Sequence, residues 1–307
     1  MTVKPLVLLF MLLTTPVAIA ETSTLFIGNS FTFGWGSSAR YYRANTVVDL
    51  NNEGLGGVPA LFKSFTQQAG LDYNVFLETR GGSDIQFHLD HKLAVIGQTP
   101  WDQVVMHGYS TLDPNKPGNA KTLVNSTAAM VAFLRRINPD VAVFLTATWP
   151  RADQVYLSNK HWSGTSLERM TRDVRDGYDL AAATPGVIAV NAVGEAWLRA
   201  IGSGLADANP YDGIDAGKID LWSYDQYHAS HFGYYLEALV VFGNLTGLDP
   251  RSLGTHECSG FELGMSETQV SMLQQAAFDQ LSSEARVNAK SLVFSDSLAP
   301  SPCQAQY

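Results

Sequence analysis

Two short segments far apart in the chain carry side chains that can do nucleophilic chemistry. Ser30 follows a short apolar run that ends at Gly28, and Asp225 and His228 lie three residues apart much later in the sequence. A serine hydroxyl is a weak nucleophile at neutral pH unless a histidine accepts its proton and a carboxylate holds that histidine in the right tautomer. The residue types therefore predict a serine hydrolase, with Ser30 as nucleophile, His228 as base and Asp225 as the group that orients it.

Other interpretations of the same residues stay open at this stage. The Ser30 segment alone is also typical of an ordinary cap, and it lacks the Gly-x-Ser-x-Gly sequence of the α/β-hydrolases. Asp225 and His228 are also compatible with a surface turn that has no chemical role. With His231 they could form part of a metal site, although no further carboxylate or cysteine ligand is evident nearby. We favour the hydrolase and expect neither a metal nor a cofactor.

The elements that must position these residues alternate along the chain. β-rich runs predict five strands, at residues 24–27, 73–77, 103–106, 141–146 and 187–190. Helical periodicity predicts helices at residues 57–68, 120–137, 166–183, 231–245 and 266–293. Because strands alternate with helices, we expect parallel strands joined by right-handed crossovers. The predicted fold is a three-layer α/β/α sandwich around a five-stranded, mainly parallel sheet of flavodoxin-like type.

Active sites of such sheets lie at the carboxyl ends of the strands. Four residues follow predicted strand ends and should meet at one edge of the sheet, namely Ser30, Gly82, Gly108 and Trp149. We expect Ser30 to lie on a turn between a strand and a helix, where backbone N–H groups face incoming negative charge. His88 and His91 have helical spacing close to Gly82, and they either flank this site or lie on a solvated helix face.

Several segments resemble the conserved blocks of one enzyme family. Gly28-Asn29-Ser30-Phe31-Thr32 resembles the first block of the SGNH hydrolases, also called GDSL-type esterases, and Asp225-x-x-His228-x-x-x-x-Gly233 resembles the last. Gly81-Gly82 resembles the second block, whose glycine N–H serves the oxyanion hole. The resemblance implies an α/β/α sandwich with esterase activity and a Ser30-His228-Asp225 triad. Within this family, the sequence is most similar to a divergent secreted branch that resembles carbohydrate O-acetylesterases.

The third block departs from the family pattern. The family has Gly-x-Asn, and its asparagine completes the oxyanion hole, whereas this chain has His107-Gly108-Tyr109-Ser110. Ser110 occupies the asparagine position if Gly108 is the block glycine, and His107 is the other candidate donor. We therefore expect an oxyanion hole made by Ser30, Gly82 and either Ser110 or His107. The missing asparagine keeps a catalytically weak, glycan-binding pseudo-hydrolase open as an alternative.

Aromatic residues near these blocks indicate the class of substrate. Trp149, Trp222 and Tyr227 are expected to line a substrate cleft, since aromatic faces suit sugar rings and acyl groups. The segment 206–222 is predicted to be an insertion over the site. The expected substrate is an esterified, most simply acetylated, polysaccharide. A lipase or lysophospholipase of the same family is a further alternative.

The N-terminus predicts export. Lys4, an apolar run at residues 6–13 and the small residues at 18–20 form a signal peptide over residues 1–20, which leaves one SGNH-like domain over residues 21–307. We expect a secreted or periplasmic protein with Cys258 and Cys303 joined in a disulfide. The formal net charge of −9 argues against nucleic acid or an anionic membrane as a partner. No stable membrane insertion is expected, and the oligomeric state is left open.

Overall fold

The computed structural model describes residues 21–287 and Cys303. The predicted signal peptide at residues 1–20 lies outside the described residues, as do residues 288–302 and 304–307. The predictions of a cleaved export signal and of one domain that extends over residues 21–307 therefore stay predictions.

A single parallel sheet forms the centre of the described part. Its strands are Thr22–Gly28 (β1), Val48–Asp49 (β2), Tyr73–Thr79 (β3), Gln103–Met106 (β4), Ala142–Ala147 (β5) and Val187–Ala192 (β6). Their order in the sheet is β2-β3-β1-β4-β5-β6, and every neighbouring pair is parallel. The predicted parallel α/β sandwich is confirmed, but the sheet has six strands, not five. The additional strand β2 has two residues, too few to show a periodic pattern, and it exists through its pairing with Phe76 and Leu77.

Ten α-helices connect or follow these strands in the described residues. They are Gly57–Gln68 (α1), Ile85–His91 (α2), Leu93–Ile96 (α3), Lys121–Ile137 (α4), Ala152–Val155 (α5), Leu167–Ala182 (α6), Val193–Gly202 (α7), His231–Thr246 (α8), Cys258–Glu262 (α9) and Glu267–Ser283 (α10). Helix α8 is buried along nearly its whole length, and helices α1, α7 and α10 pack against it. Helices α2, α4 and α6 pack together as a second group. Right-handed crossovers place these two groups on opposite faces of the sheet.

The last predicted helix is shorter than the sequence pattern indicated. Helix α10 begins with a capping box formed by Ser266 and Gln269, and it ends at Ser283. Ala285 has a left-handed backbone with φ of 55°, which ends the helical conformation. The prediction that this helix continues to residue 293 is therefore wrong for residues 284–287, which are not helical. Residues 288–293 of the predicted helix lie outside the described residues.

Strand β1 occupies the position in the sheet from which the site is built. Its crossover through α1 leads to β3 on one side, and later crossovers lead from β4 outward on the other side. The chain therefore changes direction at β1, and crevices for ligands form at such switch points beyond the carboxyl ends of the strands. The register pairs Gly28 at the end of β1 with Thr79 at the end of β3. The segments that follow these two strands thus begin side by side.

A disulfide joins Cys258, at the start of α9, to Cys303. The two cysteines are 45 residues apart, so the bond closes a long loop of the chain. The pairing predicted from the cysteine count is confirmed. Within the described part of the chain, no helix has both the length and the apolar character needed to cross a membrane.

We expect the double variant Cys258→Ser/Cys303→Ser to be less stable than wild type by about 2–4 kcal/mol, because the open chain gains entropy when it unfolds. Urea denaturation monitored by circular dichroism measures this difference. Ester hydrolysis below the unfolding transition should be unchanged. Two thiols that react with a thiol reagent in the denatured, unreduced wild type would contradict the disulfide.

Candidate active site

The turn after β1 presents Ser30 at the edge of the sheet. Gly28 is required for space, since a Cβ atom there would lie 1.9 Å from Thr32 Oγ1. The Phe31 N–H donates to Asn29 Oδ1 at 3.0 Å, and the Trp35 N–H donates to the Ser30 carbonyl at 3.0 Å. These bonds hold the serine in a compact turn.

The expectation that a helix directly follows Ser30 is wrong. Residues 30–35 are turns, and the next helical segment is a short 3-10 helix at Ser38–Tyr41. Gly34 and Gly36 have φ angles of 79° and 77°, which interrupt a helical path. The N–H groups at Ser30 therefore act without a helix dipole behind them.

A tight loop before α8 carries the acid and the base. Trp222 and Ala229 form an antiparallel bridge across it, and the Ser223 N–H donates to the His228 carbonyl at 2.7 Å. Asp225 Oδ1 accepts the backbone N–H of His228 at 2.9 Å. This arrangement follows from the sequence, because an aspartate readily accepts backbone N–H groups two and three residues ahead of it. Ser230 follows the loop as the N-cap residue of α8.

The two segments meet in a continuous chain of hydrogen bonds. Asp225 Oδ2 lies 2.6 Å from His228 Nδ1, and His228 Nε2 lies 2.9 Å from Ser30 Oγ. Only 9% of Ser30 and 6% of His228 is exposed. The distances and the order of atoms are those needed for a histidine to accept a serine proton while a carboxylate holds the ring.

Burial and neighbouring charges set the protonation of this chain. Burial lowers the pKa of His228 below its usual value, against the opposing effect of the Asp225 carboxylate. Burial alone would raise the pKa of Asp225, but its hydrogen bonds with His228 and Tyr227 hold that pKa below the usual range. At neutral pH Asp225 is therefore ionised and His228 is neutral. Its Nδ1–H donates to Asp225, which leaves Nε2 as the acceptor for the Ser30 hydroxyl.

Two backbone N–H groups, in the turns that follow β1 and β3, are available for a ligand. Among the described residues, neither the Ser30 N–H nor the Gly82 N–H donates to a protein acceptor. Gly82 lies in the turn after β3 with φ of 71°, a conformation that suits glycine. The Tyr109 hydroxyl donates to the Gly82 carbonyl at 3.0 Å and so fixes the orientation of that peptide group. The oxyanion roles of Ser30 and Gly82 stay predictions that this geometry supports.

His107 does not fit the predicted oxyanion role. Its Nδ1 lies 2.9 Å from the Gly108 carbonyl, which can only accept, so Nδ1 carries the proton. Complete burial lowers the pKa of His107 to about 4, so the ring is neutral and its Nε2 is an acceptor. That atom lies 2.8 Å from the Thr32 hydroxyl, which donates to it. The imidazole thus has no N–H left for an oxyanion.

Ser110 lies beside a charged residue that the sequence analysis did not single out. Its hydroxyl accepts from Arg151 Nη1 at 3.3 Å. The Arg151 guanidinium also pairs with Asp153 at 2.7 Å and lies 3.6 Å above the centre of the Tyr227 ring. The Tyr227 ring in turn lies 4.1 Å from that of His228. The sequence signal that could have identified Arg151 is its position just after a strand end. Only the packing shows that its side chain reaches the acid-base loop.

Two of the three predicted cleft aromatics are buried. Trp149 has no exposed surface and stacks on Phe31 at 4.2 Å, and Trp222 is 1% exposed. The expectation that they line an open cleft is therefore wrong. They support the loop from inside instead, because Trp149 Nε1 donates to the Tyr227 carbonyl at 3.2 Å and Trp222 Nε1 donates to the Pro150 carbonyl at 2.9 Å. Tyr227 is only partly buried, so its predicted substrate contact stays a prediction.

Other aromatic side chains surround the site with exposed surface. Trp35 is 37% exposed, and its ring lies 6.4 Å from that of His228. Tyr224 is 77% exposed and lies near Gly36, next to Trp35. Tyr211, in the predicted insertion, is 42% exposed, and burial together with the Asp153 and Asp225 carboxylates raises the pKa of its hydroxyl. Trp35 follows the serine block closely in sequence, which was the signal that could have identified it.

A metal site is not formed by the residues named as an alternative. Among residues 21–287 and 303, no group of three or more histidine, cysteine, aspartate or glutamate side chains is arranged to hold a metal ion. His231 lies at the start of α8, where its ring packs on Phe232 at 4.0 Å, and His228 is directed toward Ser30. The two histidines therefore belong to different surroundings.

Comparison with known proteins identifies the fold. No family model matches the sequence, and no curated protein matches it. Among solved structures, a DUF4886 family protein from Bacteroides uniformis is similar with a TM-score of 0.60 and 17% identity, over 88% of this chain and 98% of that chain. A candidate SGNH hydrolase from Slackia heliotrinireducens has a TM-score of 0.50 and 20% identity, over 74% of this chain and 100% of that chain. A candidate GDSL-like lipase from Parabacteroides merdae has a TM-score of 0.51 and 16% identity, over 74% of this chain and 96% of that chain. The resemblance to the SGNH hydrolases is confirmed at the level of the fold.

The pH dependence of any activity should report the neutral form of His228. Because burial lowers its pKa, kcat/KM should rise with pH through a midpoint below about 6.5. The Arg151 cation also disfavours the imidazolium. Arg151→Gln should therefore move the midpoint up by about 0.5–1 pH unit, and the freed Asp153 carboxylate acts in the same direction. Measured pH profiles of kcat/KM test this.

Arg169→Gln is the matched control, since Arg169 pairs with Asp173 on the exposed side of α6. Its pH profile should coincide with that of wild type. A midpoint that moves down in Arg151→Gln would contradict the electrostatic account of His228.

Proposed function

We propose that this protein is a serine esterase that removes acyl groups, most simply acetyl groups, from a polysaccharide. The observation that carries the proposal is the unbroken chain from Asp225 Oδ2 through His228 to Ser30 Oγ, with distances of 2.6 and 2.9 Å. Its position beyond the carboxyl ends of a parallel sheet supports the proposal, because sheets of this kind bind ligands there.

The geometry supports a two-step reaction. Ser30 Oγ attacks the ester carbonyl carbon while its proton moves to His228 Nε2, and the carbonyl oxygen becomes an oxyanion that the Ser30 and Gly82 N–H groups hold. The C–O bond to the alcohol then breaks, and His228 gives the proton to the leaving oxygen. A water molecule next attacks the acyl-enzyme, with His228 accepting and returning a proton, and this step releases the acid and restores Ser30. Asp225 stays ionised and stabilises the imidazolium in both steps.

The exposed aromatic residues support a glycan as the substrate. Trp35 and Tyr224 present exposed rings beside the triad, and Tyr211 is exposed in the predicted insertion. Aromatic faces suit the apolar faces of sugar rings. The whole chain has a net charge of −9, which disfavours binding to an anionic lipid surface. We propose on this basis that the alcohol part of the substrate is a sugar.

We also propose that the protein acts outside the cytoplasm. The disulfide between Cys258 and Cys303 supports this location, because such bonds persist in oxidising compartments. The predicted signal peptide agrees with it. A secreted or periplasmic enzyme would meet acetylated polysaccharides directly.

We expect Ser30→Ala to lower kcat for p-nitrophenyl acetate by at least about 10³-fold with the fold unchanged, because the nucleophile is lost. A fluorophosphonate reagent should label wild type on the peptide that contains Ser30, as identified by mass spectrometry. Ser126→Ala is the control, since Ser126 is 1% exposed within α4 and lies outside the site. A folded Ser30→Ala variant with more than a tenth of wild-type activity would contradict the proposed nucleophile.

We expect kcat/KM to be highest for acetyl esters in a series of p-nitrophenyl esters, and acetate to be released from at least one acetylated polysaccharide in a panel. Trp35→Ala should raise KM for the polysaccharide about 10-fold or more and change turnover of p-nitrophenyl acetate little, since stacking acts on the sugar. Phe261→Ala is the control, because Phe261 is 75% exposed on α9. A preference for long acyl chains would favour a lipase instead.

A further inference from the structure

A second histidine lies fully buried beneath the site and has no role in the proposed reaction. His88 on α2 and Glu78 on β3 are both 0% exposed. His88 Nδ1 is hydrogen-bonded to the Glu78 carboxylate. Asn51 Nδ2 and Lys92 Nζ also reach this carboxylate, at 3.1 and 3.2 Å. From its helical spacing in the sequence, His88 was expected either to flank the site or to lie on a solvated helix face. The structure places it in the interior.

The partners of His88 show where its protons are. Nε2 lies 3.1 Å from the Gly28 carbonyl, which can only accept, so Nε2 carries a proton. The same atom lies 3.1 Å from Ser83 Oγ, whose own proton goes to the Arg80 carbonyl at 2.7 Å. Both partners of Nε2 are therefore acceptors.

The other ring nitrogen faces an ionised carboxylate. Burial alone would raise the pKa of Glu78, but the hydrogen bond and the charge of His88, with Asn51 and Lys92, hold that pKa below its usual value. This carboxylate holds Nδ1 from the opposite side of the ring, so both ring nitrogens of His88 have partners within the protein.

His88 joins the two turns that carry the proposed oxyanion donors. Gly28 precedes the Ser30 turn, and Ser83 ends the turn that contains Gly82. Two further bonds tie these turns together, from Arg80 N–H to the Gly28 carbonyl at 3.0 Å and from Asn29 Nδ2 to the Ser83 carbonyl at 2.8 Å. His88 contacts both turns from below through one nitrogen.

Stability alone does not account for two titratable side chains paired in the interior. Replacing such a buried pair by well-packed apolar side chains is often neutral or stabilising. Oxyanion donors, in contrast, depend on being held in place before the reaction, and an error of about 1 Å can cost about 10²-fold in rate.

We propose that His88, held in place by Glu78, is a positioning residue that fixes the Ser30 N–H relative to the Gly82 N–H, so that both donors point at one oxyanion. This inference rests on the proposed esterase function. His88 does not touch the substrate and acts through the carbonyl of Gly28 and the hydroxyl of Ser83.

The test compares ground-state and transition-state interactions. In His88→Gln, kcat for p-nitrophenyl acetate should fall by about 10²-fold with KM nearly unchanged. The affinity for a phenylboronic acid, which forms a tetrahedral adduct on the serine, should fall in parallel. In Glu78→Gln, His88 can keep its Nε2–H on the Gly28 carbonyl, so kcat should fall less than in His88→Gln. His91→Gln is the matched control, since His91 lies exposed on the same helix.

The two variants together decide the inference. A folded His88→Gln variant with unchanged kcat and boronate affinity would overturn it. If that variant does not fold, a folded Glu78→Gln variant with unchanged kcat and boronate affinity would overturn it instead. Wild type without esterase activity would refute the proposed function as well, whereas an active enzyme that is insensitive at His88 would refute this inference alone.

Discussion

The hydrogen bond between Ser30 Oγ and His228 Nε2 joins residues 198 positions apart, and the rest of the site is organised to maintain it. Ser30 lies at the end of a central strand, and His228 lies in a loop directly before α8. Helix α8 contacts both partners, because the hydroxyl of its Tyr234 lies 3.2 Å from the Ser30 carbonyl and 3.1 Å from the Trp35 carbonyl and shares its one proton between them. One buried helix therefore carries the loop with the base and also contacts the turn with the nucleophile. A displacement of α8 would move both.

An aromatic stack forms the floor beneath this hydrogen bond. The ring of Phe31 stacks on Trp149 at 4.2 Å, Trp149 stacks on Trp197 at 5.0 Å, and Trp197 contacts Trp222 at 5.3 Å. Such a floor excludes water from below, which is why burial is the largest influence on the pKa of His228. The indole N–H groups of Trp149 and Trp222 meanwhile satisfy backbone carbonyls of the segments they support. Aromatic residues near a motif in sequence can thus build a site without touching its substrate.

Titratable side chains around the site occur in pairs, and the pairs differ in exposure. Asp225 and His228 are partly exposed, Arg151 and Asp153 pack beside Tyr227, and Glu78 and His88 are fully buried. His228 contacts Ser30 Oγ, and burial lowers its pKa, so its imidazole is ready to accept a proton at neutral pH.

The sequence alone determined the parallel α/β architecture, the disulfide partners and the three residues that form the hydrogen-bonded chain. These features depend on local pattern: apolar runs of strand length, helical periodicity, an even cysteine count, and short motifs within which an aspartate reaches a histidine. Only the tertiary structure decided which residues around the chain are exposed. Trp149 and Trp222 are buried, His107 has both nitrogens in use, and β2 exists only because β3 offers an edge. Arg151 and His88 act on residues far away in sequence. Burial and hydrogen-bond partners across such distances are properties of packing between elements, and no local pattern of residue types encodes them.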